Sequence, residues 1–346
     1  MSEPLVTVIV TQRERFGMTA ESLEDLYAHT DTPFDLVYVD GNAPERHAAY
    51  LREQAAARGF TLIRRERFLT PNEARNLGLA AAKTRYVVFI DNDVLFTPGW
   101  LDALIGCAEE TGASIVAPLT CQGLPAHQTI HHAGGDYAPG GDMAAFFATP
   151  EGQPRAFTED MHGHAVPIED YDGPMERGQT GMCEFHCALM RRDLFDEIGP
   201  LDERMLSTKE HIDVSIAARA AGRTVWFEPS SVITYVFPCR ARPLNREDWP
   251  FFALRWSDDF GRRSLAHFID KWRLKVPDDY LHTKRETYKM RRMQGILIPM
   301  MATAPLVGRN CKTTRLAAKV AAPIERAVNR GVVAKHERRL KDEAAA

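Results

Sequence analysis

The stretch Tyr86-Val-Val-Phe-Ile-Asp-Asn-Asp-Val94 carries the most information about the fold of this 346-residue chain. The apolar run Val87-Val-Phe-Ile90 predicts a strand that is buried on both faces. Asp91 and Asp93 follow it directly. Because an open α/β sheet binds its ligands beyond the carboxyl ends of its strands, both carboxylates are expected in that crevice. Such a pair suits Mg²⁺ or Mn²⁺ carrying a diphosphate, although it also suits a simple cap on the following segment.

Strands alternate with helices on the N-terminal side of this stretch. The pattern predicts strands at Val6–Thr11, Phe34–Asp40 and Thr61–Arg64, and helices at Thr19–His29, Ala43–Gly59 and Asn72–Ala82. This alternation indicates an α/β fold with a doubly wound, mostly parallel sheet.

Several segments occur in the order found in family 2 glycosyltransferases. They are Val6–Thr11, Val39-Asp-Gly-Asn42, Asn72-Glu-Ala-Arg-Asn-Leu-Gly78, Ile90-Asp-Asn-Asp93, Leu189–Glu203, Glu210-His-Ile-Asp213 and Gly222–Pro229. The chain resembles that family over about residues 4–238. The resemblance implies the GT-A fold with a mixed sheet, in which residues 1–120 form the nucleotide-sugar-binding half and residues 121–240 the acceptor-binding half.

The resemblance also implies a donor site. Its expected donor-binding residues are Thr11, Arg13, Asp40, Arg75, Asn76, Asp91 and Asn92, with Asp91 and Asp93 as the metal ligands. A cation held there would offset the growing charge of a departing diphosphate. Two departures concern this site. Many relatives have a second aspartate where this chain has Gly41, so the nucleobase is not determined, and many have a metal-binding histidine near Tyr235.

The acceptor half contains the candidate base. In the family the aspartate after glutamate usually takes the proton of the acceptor hydroxyl, but this chain has His211 there. Histidine titrates near neutrality and can serve as a base, so Glu210, His211 and Asp213 are all candidates. The Gly- and Pro-rich region Cys121–Thr180 is expected to be mostly loop that shapes the acceptor pocket.

The same half contains further polar side chains near the expected pocket. We expect acceptor contacts from Glu184, His131 and His132. The two histidines could also bind metal, but the surrounding glycines and prolines suit simple turns. The stretch Cys183-Glu-Phe-His-Cys187 could indicate a metal site, but it lacks a second ligand pair at zinc-finger spacing, so small buried side chains are expected there.

Residues 241–346 are predicted to form a helical extension with a basic amphipathic tail. An apolar segment, Gly295–Gly308, is too short and too broken by proline to cross a bilayer. A basic segment follows from Arg309, with an apolar stripe at helical spacing formed by Leu316, Val320, Ile324, Ala327 and Val328. This pattern suits an anionic membrane surface, and it equally suits a helix docked on the protein or on a second subunit of a homodimer.

These observations predict a metal-dependent glycosyltransferase. It would transfer a sugar from a nucleoside diphosphate to a hydroxyl of a glycan or lipid-linked acceptor, with inversion as the family's usual outcome. One alternative is a catalytically silent sugar-nucleotide-binding protein, because His211 replaces the usual aspartate base. A second alternative is a nucleotidyltransferase, but the lack of glycine in Thr11–Arg15 makes it less favoured. The formal net charge of −4 gives no reason for a nucleic-acid partner.

The expected location is the cytoplasm, at most peripheral at the inner face of the membrane. Met1-Ser-Glu-Pro4 runs straight into the first strand without a signal-peptide pattern, and the six scattered cysteines suit reduced thiols.

Overall fold

A ten-stranded mixed sheet forms the centre of the computed structural model, which describes residues 4–239, 242–304 and 310–345. Its strands are β1 (Val6–Thr11), β2 (Phe34–Gly41), β3 (Thr61–Arg65), β4 (Tyr86–Asp91), β5 (Val94–Phe96), β6 (Ile115–Gln122), β7 (Ile130–His132), β11 (Gly178–Gln179), β12 (Cys187–Arg191) and β13 (Val225–Tyr235). Two small two-stranded sheets pair β8 (Gly135–Asp136) with β10 (Asp160–Met161), and β9 (Arg155–Ala156) with β14 (Leu274–Lys275). Every residue of β1 and β4 is buried, as expected for strands covered on both faces.

The strand order brings the two halves of the chain together beside β4. Across the sheet the order is β11-β13-β6-β12-β4-β1-β2-β3, with β5 beside β13 and β7 beside β6. Strands β3, β2, β1 and β4 are parallel, whereas β12 is antiparallel to both β4 and β6. The register pairs Thr11 with Asp91 at the carboxyl edge. Because β12 enters the sheet from this edge, His186 lies beside Asp91, whose amide donates to the His186 carbonyl (3.2 Å).

Helices cover both faces of this sheet. The α-helices of the described chain are α1 (Thr19–Ala28), α2 (Glu45–Arg58), α3 (Pro71–Ala81), α4 (Trp100–Thr111), α5 (Met143–Ala148), α6 (Leu194–Ile198), α7 (Glu210–Ala220), α8 (Trp249–Arg255), α9 (Asp258–Trp272), α10 (Tyr280–Arg292), α11 (Ile298–Ala302) and α12 (Cys311–Ala345). Side chains of β4 alternate: Val88 and Ile90 join one core with α1, α2 and α4, whereas Val87 and Phe89 join a second core with α3 and α7. The predicted α/β doubly wound architecture is confirmed.

Helix α3 is held close to β1, which determines where its polar side chains lie. A Cβ atom at Gly78 would lie 2.2 Å from Cγ2 of Ile9, so only glycine fits at this crossing. At the start of the helix the Thr70 amide donates to the Glu73 carboxylate (3.3 Å), which satisfies one free helix-end donor. The buried Arg75 therefore extends from a fixed helix toward the end of β4.

The C-terminal part of the chain is helical, as predicted, and packs on the sheet domain. Phe252, Trp256 and Tyr288 form an apolar cluster with Ile212 and Ile216 of α7. Helix α12 buries a face formed by Thr314, Ala318, Ala322, Asn329, Val333 and His336.

Parts of the predicted C-terminal features lie outside the described residues. These are residues 240 and 241, at the predicted domain boundary, and residues 305–309, where the predicted apolar segment ends and the basic segment begins with Arg309. The division of the chain near residue 240 stays a prediction. Among the described helices, none combines the length and the apolar character needed to span a bilayer.

Candidate active site

Three buried side chains meet where β4 ends and β12 begins. One ligand atom each from Asp91, Asp93 and His186 lies within 4.8 Å of the other two. Both oxygens of Asp93 and both ring nitrogens of His186 lack a hydrogen-bond partner among the described residues. Because buried polar atoms are nearly always hydrogen-bonded, these four atoms are expected to bind a ligand of the protein. Carboxylate oxygens together with an imidazole nitrogen form a set that fits a divalent cation.

The electrostatics of this cluster also favour a cation. Burial, with Asp91 and Glu14 nearby, raises the pKa of Asp93. Burial lowers the pKa of His186, and the neutral imidazole is the form that binds metal. Nδ1 of His186 lies 3.1 Å from Oδ2 of Asp91, but without the angle of a hydrogen bond.

Two arginines lie against Asp91 on the side of the sheet that was predicted to bind the donor. Arg13 Nη1 is 3.1 Å from Oδ2 of Asp91, and Arg75 Nη2 is 3.3 Å from Oδ1. The Arg75 guanidinium also lies over the ring of Phe185, 3.9 Å from its centroid. Arg75 is fully buried, whereas the Arg13 side chain is 12 % exposed. Arg13 is therefore the one of the two that an incoming phosphate reaches more directly.

Tyr235, at the end of β13, occupies the position where the resemblance implied a metal-binding histidine. Its ring stacks on that of His186 at a centroid distance of 3.8 Å. Its hydroxyl donates to Oε2 of Glu14 (2.9 Å) and accepts from Arg291 (3.4 Å). The imidazole of the site is thus that of His186, the residue preceding β12, and the Tyr235 ring stacks against it.

The predicted base His211 lies opposite Glu184. Nε2 of His211 is 3.4 Å from Oε1 of Glu184, and their side chains are 12 % and 9 % exposed. Burial lowers the pKa of His211 to about 3 and raises that of Glu184 to about 7. Lys209, just before α7, has the left-handed φ of 72° and forms an ion pair with Glu159, which anchors the start of the helix that presents His211.

The other two predicted catalytic residues form ion pairs inside the protein. Oε1 of Glu210 accepts from Arg255 (2.9 Å) and lies 3.8 Å from Arg75. Although burial alone would raise it, these arginines lower the pKa of Glu210 to about 2. Asp213 accepts from Lys271 (2.9 Å) and from the indole of Trp272 (2.7 Å). The helix predicted to begin at Glu210 does begin there, but each carboxylate has a separate set of partners.

The remaining predicted donor residues, Thr11, Asn92, Asp40 and Asn76, lie in three different places. Thr11 and Asn92 lie at the carboxyl edge, where the Thr11 carbonyl accepts from the Asn92 amide (2.9 Å) and the Asn92 side chain accepts from the amide of Arg13 (3.2 Å). Asp40 is buried in bonds to Gln12 (2.9 Å) and to Arg64. The side chain of Asn76 binds the Leu201 carbonyl and Glu203 (both 2.9 Å), so it holds a loop and is not among the residues in contact with Asp91.

The structure separates the two histidines predicted to contact the acceptor. The ring of His131 lies 4.9 Å from that of His186, and Nδ1 of His131 is 3.0 Å from Oε1 of Gln122. With Glu184 and His186, His131 forms a second set of three ligand atoms within 4.8 Å of one another. His132 belongs to neither set among the described residues, and burial lowers its pKa to about 3.

Sequence reasoning missed His186, which was included in a stretch expected to hold only small buried side chains. Cys183 and Cys187 do fit that expectation, because both are buried thiols. The available signal was a polar residue directly before an apolar strand, Cys187–Arg191. It would have pointed to the metal site only if the antiparallel pairing of that strand with β4 had been known.

Comparison with known proteins identifies the family. The sequence profile of "Glycosyl transferase family 2" matches residues 7–199, which is more than half of the chain. The chain belongs to glycosyl transferase family 2.

Relatives of this family-2 chain are distant. An uncharacterized protein, y4gI, of Sinorhizobium fredii is 23 % identical over 236 residues, and the O-antigen biosynthesis protein RfbC of Myxococcus xanthus is 24 % identical over 226 residues. Each alignment covers 64 % of this chain but only 23 % and 16 % of those proteins, so the chain spans less than a quarter of their length. A pre-mycofactocin glycosyltransferase of Mycobacterium tuberculosis is 46 % identical over a local stretch of 48 residues.

Solved structures share the fold of this family-2 chain. GalNAc-T7 with UDP, GalNAc and Mn²⁺ superposes with a TM-score of 0.51 at 15 % identity, covering 87 % of this chain and 58 % of that one. The mannosyltransferase PcManGT of Pyrobaculum calidifontis, in complex with GDP-Man and Mn²⁺, superposes with a TM-score of 0.50 at 16 % identity, covering 97 % and 85 %. The predicted GT-A fold is confirmed.

Proposed function

We propose that this chain transfers a sugar from a nucleoside-diphosphate sugar to a hydroxyl of a glycan or lipid-linked acceptor. The observation that carries the proposal is the cluster of Asp91, Asp93 and His186, whose buried and unpartnered atoms converge at the carboxyl edge of the sheet. That edge is where ligands of such sheets bind. Membership of the family and the nucleotide and Mn²⁺ ligands named for two proteins of the same fold support it.

Asp91, Asp93 and His186 would hold Mn²⁺ or Mg²⁺. When bound, the cation supplies positive charge to the oxygens of the departing diphosphate. Arg13 and Arg75, both within 3.3 Å of Asp91, fix the orientation of that carboxylate. The partly exposed Arg13 can also turn a guanidinium edge toward a phosphate, because its planar fork binds two oxygens at once.

His211, paired with Glu184, is the base that this geometry favours among the candidates. Burial lowers the pKa of His211 to about 3, so its imidazole is unprotonated at neutral pH, and a proton that it takes from the acceptor can pass to Glu184, whose pKa burial raises to about 7. Nε2 of His211 has no hydrogen-bond partner within the described part of the chain and lies 3.4 Å from the Glu184 carboxylate. A carboxylate at that distance orients the imidazole and offsets the charge that it gains with a proton. Glu210 forms an ion pair with Arg255, and Asp213 binds Lys271 and Trp272. Each of these carboxylates would have to break its ion pair before it could accept a proton. When the base takes the proton of the acceptor hydroxyl, the acceptor oxygen can attack the anomeric carbon opposite the departing diphosphate, and this displacement inverts the anomeric centre.

A thermal-stability screen of nucleoside diphosphates, with and without Mn²⁺, tests the donor site before any acceptor is known. We expect one nucleotide to raise the melting temperature only when Mn²⁺ is present. Asp93→Ala should remove the effect, and Asp35→Ala, which removes an exposed aspartate, should keep it. Stabilisation by nucleotide that is indifferent to metal and to Asp93 would contradict the proposal. Nucleotide binding without turnover of any sugar donor would instead favour a silent binding protein.

The tail supports a peripheral placement at an anionic membrane surface on the cytoplasmic side. One face of α12 docks on the chain itself, as in the expected alternative: Asn329 donates to the carbonyl of Ala253 (2.6 Å). The opposite face exposes the apolar stripe, with Val320 72 % and Ile324 70 % exposed. Such a face suits insertion between lipid headgroups or contact with a second copy in a homodimer. Ile324→Glu should reduce co-sedimentation with anionic vesicles; a dimer-to-monomer change in light scattering would point to the second copy.

A further inference from the structure

A groove of about 1060 Å³ lies between α9, α10 and α12, and its lining shares no residue with the cluster around Asp91. Its apolar lining includes Leu265, Ile269, Leu281 and Val333. The volume matches the upper end of small-molecule sites, which is roughly 1000 Å³. The groove therefore has the size and the apolar surface of a site for an amphiphile.

The charge around this groove is positive and only partly balanced. Five arginines and three carboxylates line it. Each carboxylate is already in an ion pair: Asp258 with Arg292, Asp259 with Arg262 and Arg263, and Glu337 with Arg263. The ion pairs inside the protein thus use up the acidic groups and leave arginines over.

The remaining arginines are Arg285 on α10 and Arg326 and Arg330 on α12. Within the described part of the chain, none of these three side chains donates a hydrogen bond or joins an ion pair. Guanidinium groups are the side chains best suited to bidentate binding of phosphate oxygens. Three of them around one apolar groove are complementary to a phosphate that is attached to an apolar body.

We propose that this groove binds one anionic phospholipid, with the headgroup phosphate at Arg285, Arg326 and Arg330 and the upper part of the lipid along the apolar lining. The lining of the groove favours a lipid over a soluble phosphate ester. Its apolar part is open to solvent, with Leu281 51 % exposed. The apolar part of a lipid would cover this surface, whereas a soluble phosphate ester would leave it in water.

This site goes beyond the donor chemistry and rests only on the proposed peripheral placement of the chain. It gives that placement a stoichiometric contact with a defined headgroup, which a diffuse basic surface does not provide. Donor binding at Asp91 and Asp93 is independent of it, so the two proposals fail separately.

The test uses the full chain and three variants. The groove variant is R285A/R326A/R330A. The control variant R338A/R339A/K341A removes the same charge from exposed positions of α12 outside the groove. A third variant with lysine at the three groove positions keeps the charge but loses the bidentate geometry. Binding is measured by co-sedimentation with phosphatidylcholine vesicles that contain phosphatidylglycerol, and by calorimetry with a short-chain phosphatidylglycerol below its micelle concentration.

The groove variant should bind anionic vesicles on the order of 100-fold more weakly, because its three arginines contact the headgroup and each basic residue held at such a surface contributes roughly fivefold. The control variant should lose clearly less, because its three residues lie outside the groove. The short-chain lipid should bind the parent with one site per chain and the groove variant not at all, while the control variant keeps this site. Equal losses in the groove and control variants would overturn the site in favour of a diffuse charge effect. Equally tight binding of glycerol phosphate would overturn the lipid in favour of a soluble ligand. Nucleotide binding with Mn²⁺, measured in the same samples, should not change.

Discussion

Replacing His211 with alanine tests the proposed base most sharply. Loss of a positioned general base costs roughly 10²–10⁴ in turnover, which corresponds to about 2.7–5.4 kcal/mol of transition-state stabilisation. His211 contacts Glu184 and not the Asp91 cluster, so donor affinity should change little. Glu184→Gln keeps the shape of the partner but removes its charge. It should cost roughly 10–100-fold, the equivalent of a charge-assisted hydrogen bond of about 1.5–3 kcal/mol.

The assay measures release of the nucleoside diphosphate from the sugar nucleotide, with donor affinity measured separately by calorimetry in Mn²⁺. Asp213→Asn is the matched control, because it alters another residue of α7 whose carboxylate faces Lys271 and Trp272. We expect this control to keep turnover within about threefold of the parent, well short of the loss of a general base. The assignment would be refuted if His211→Ala kept turnover within about threefold of the parent, or if Asp213→Asn lost as much turnover as His211→Ala. The base would then be a carboxylate instead of His211.

Three further predictions follow from the packing. His186→Gln should weaken Mn²⁺ binding by at least roughly 10–100-fold, the range for partners of metal ligands. His132→Gln, which alters another buried imidazole that is not part of the Asp91 cluster, should leave Mn²⁺ binding unchanged in calorimetry. Glu159→Gln should lower the free energy of unfolding by about 3–5 kcal/mol, because it leaves the buried Lys209 without its counter-charge. Although burial opposes the shift, the adjacent lysines lower the pKa of Glu159 below its ordinary value of 4.5. The stabilisation by the Glu159 carboxylate is therefore complete above pH 4.5 and decreases at lower pH. The free energies of unfolding of the parent and the variant, measured in urea, should converge in acid. Gly78→Ala should destabilise the chain by about 1–3 kcal/mol through overpacking, since the new Cβ would lie 2.2 Å from Ile9; a variant as stable as the parent in urea would contradict the tight crossing.

The first half of the fold follows from local patterns in the sequence. Apolar runs of strand length, separated by amphipathic helices, predicted β1 to β4 and α1 to α3, each within two residues of the observed ends. Parallel strands bring their carboxyl ends to one edge, so the sequence could also predict that Thr11 and Asp91 lie together there. Arg75, on the helix that starts near Asn72, was predicted as a further cation for the phosphates or for Asp91, and Arg75 and Asp91 are in contact.

The part of the site that depends on long-range pairing could not be predicted in this way. His186 lies beside Asp91, and Glu184 lies beside His211, because β12 inserts antiparallel between β4 and β6. Local periodicity contains no information on that insertion. The partners of Asp213 lie in α9, outside the region of the family resemblance, so its engagement by Lys271 and Trp272 could not be predicted from the motif.

The C-terminal helix shows the same division between pattern and packing. The apolar stripe and the basic residues of α12 were readable from helical spacing. Which face docks was not readable, because small and polar residues such as Ala318 and Asn329 make the buried contact while Leu316 and Ile324 remain exposed. Hydrophobicity alone would have assigned the two faces the other way round.

The most direct measurement of the central claim is anomalous diffraction from a crystal soaked with Mn²⁺ and the nucleoside diphosphate that stabilises the protein. The account predicts one manganese peak in contact with Asp91, Asp93 and His186, with both phosphates on its open side and Arg13 beside them. A peak held by the two aspartates alone would remove His186 from the ligand set. Nucleotide bound with no manganese between these side chains would contradict the account.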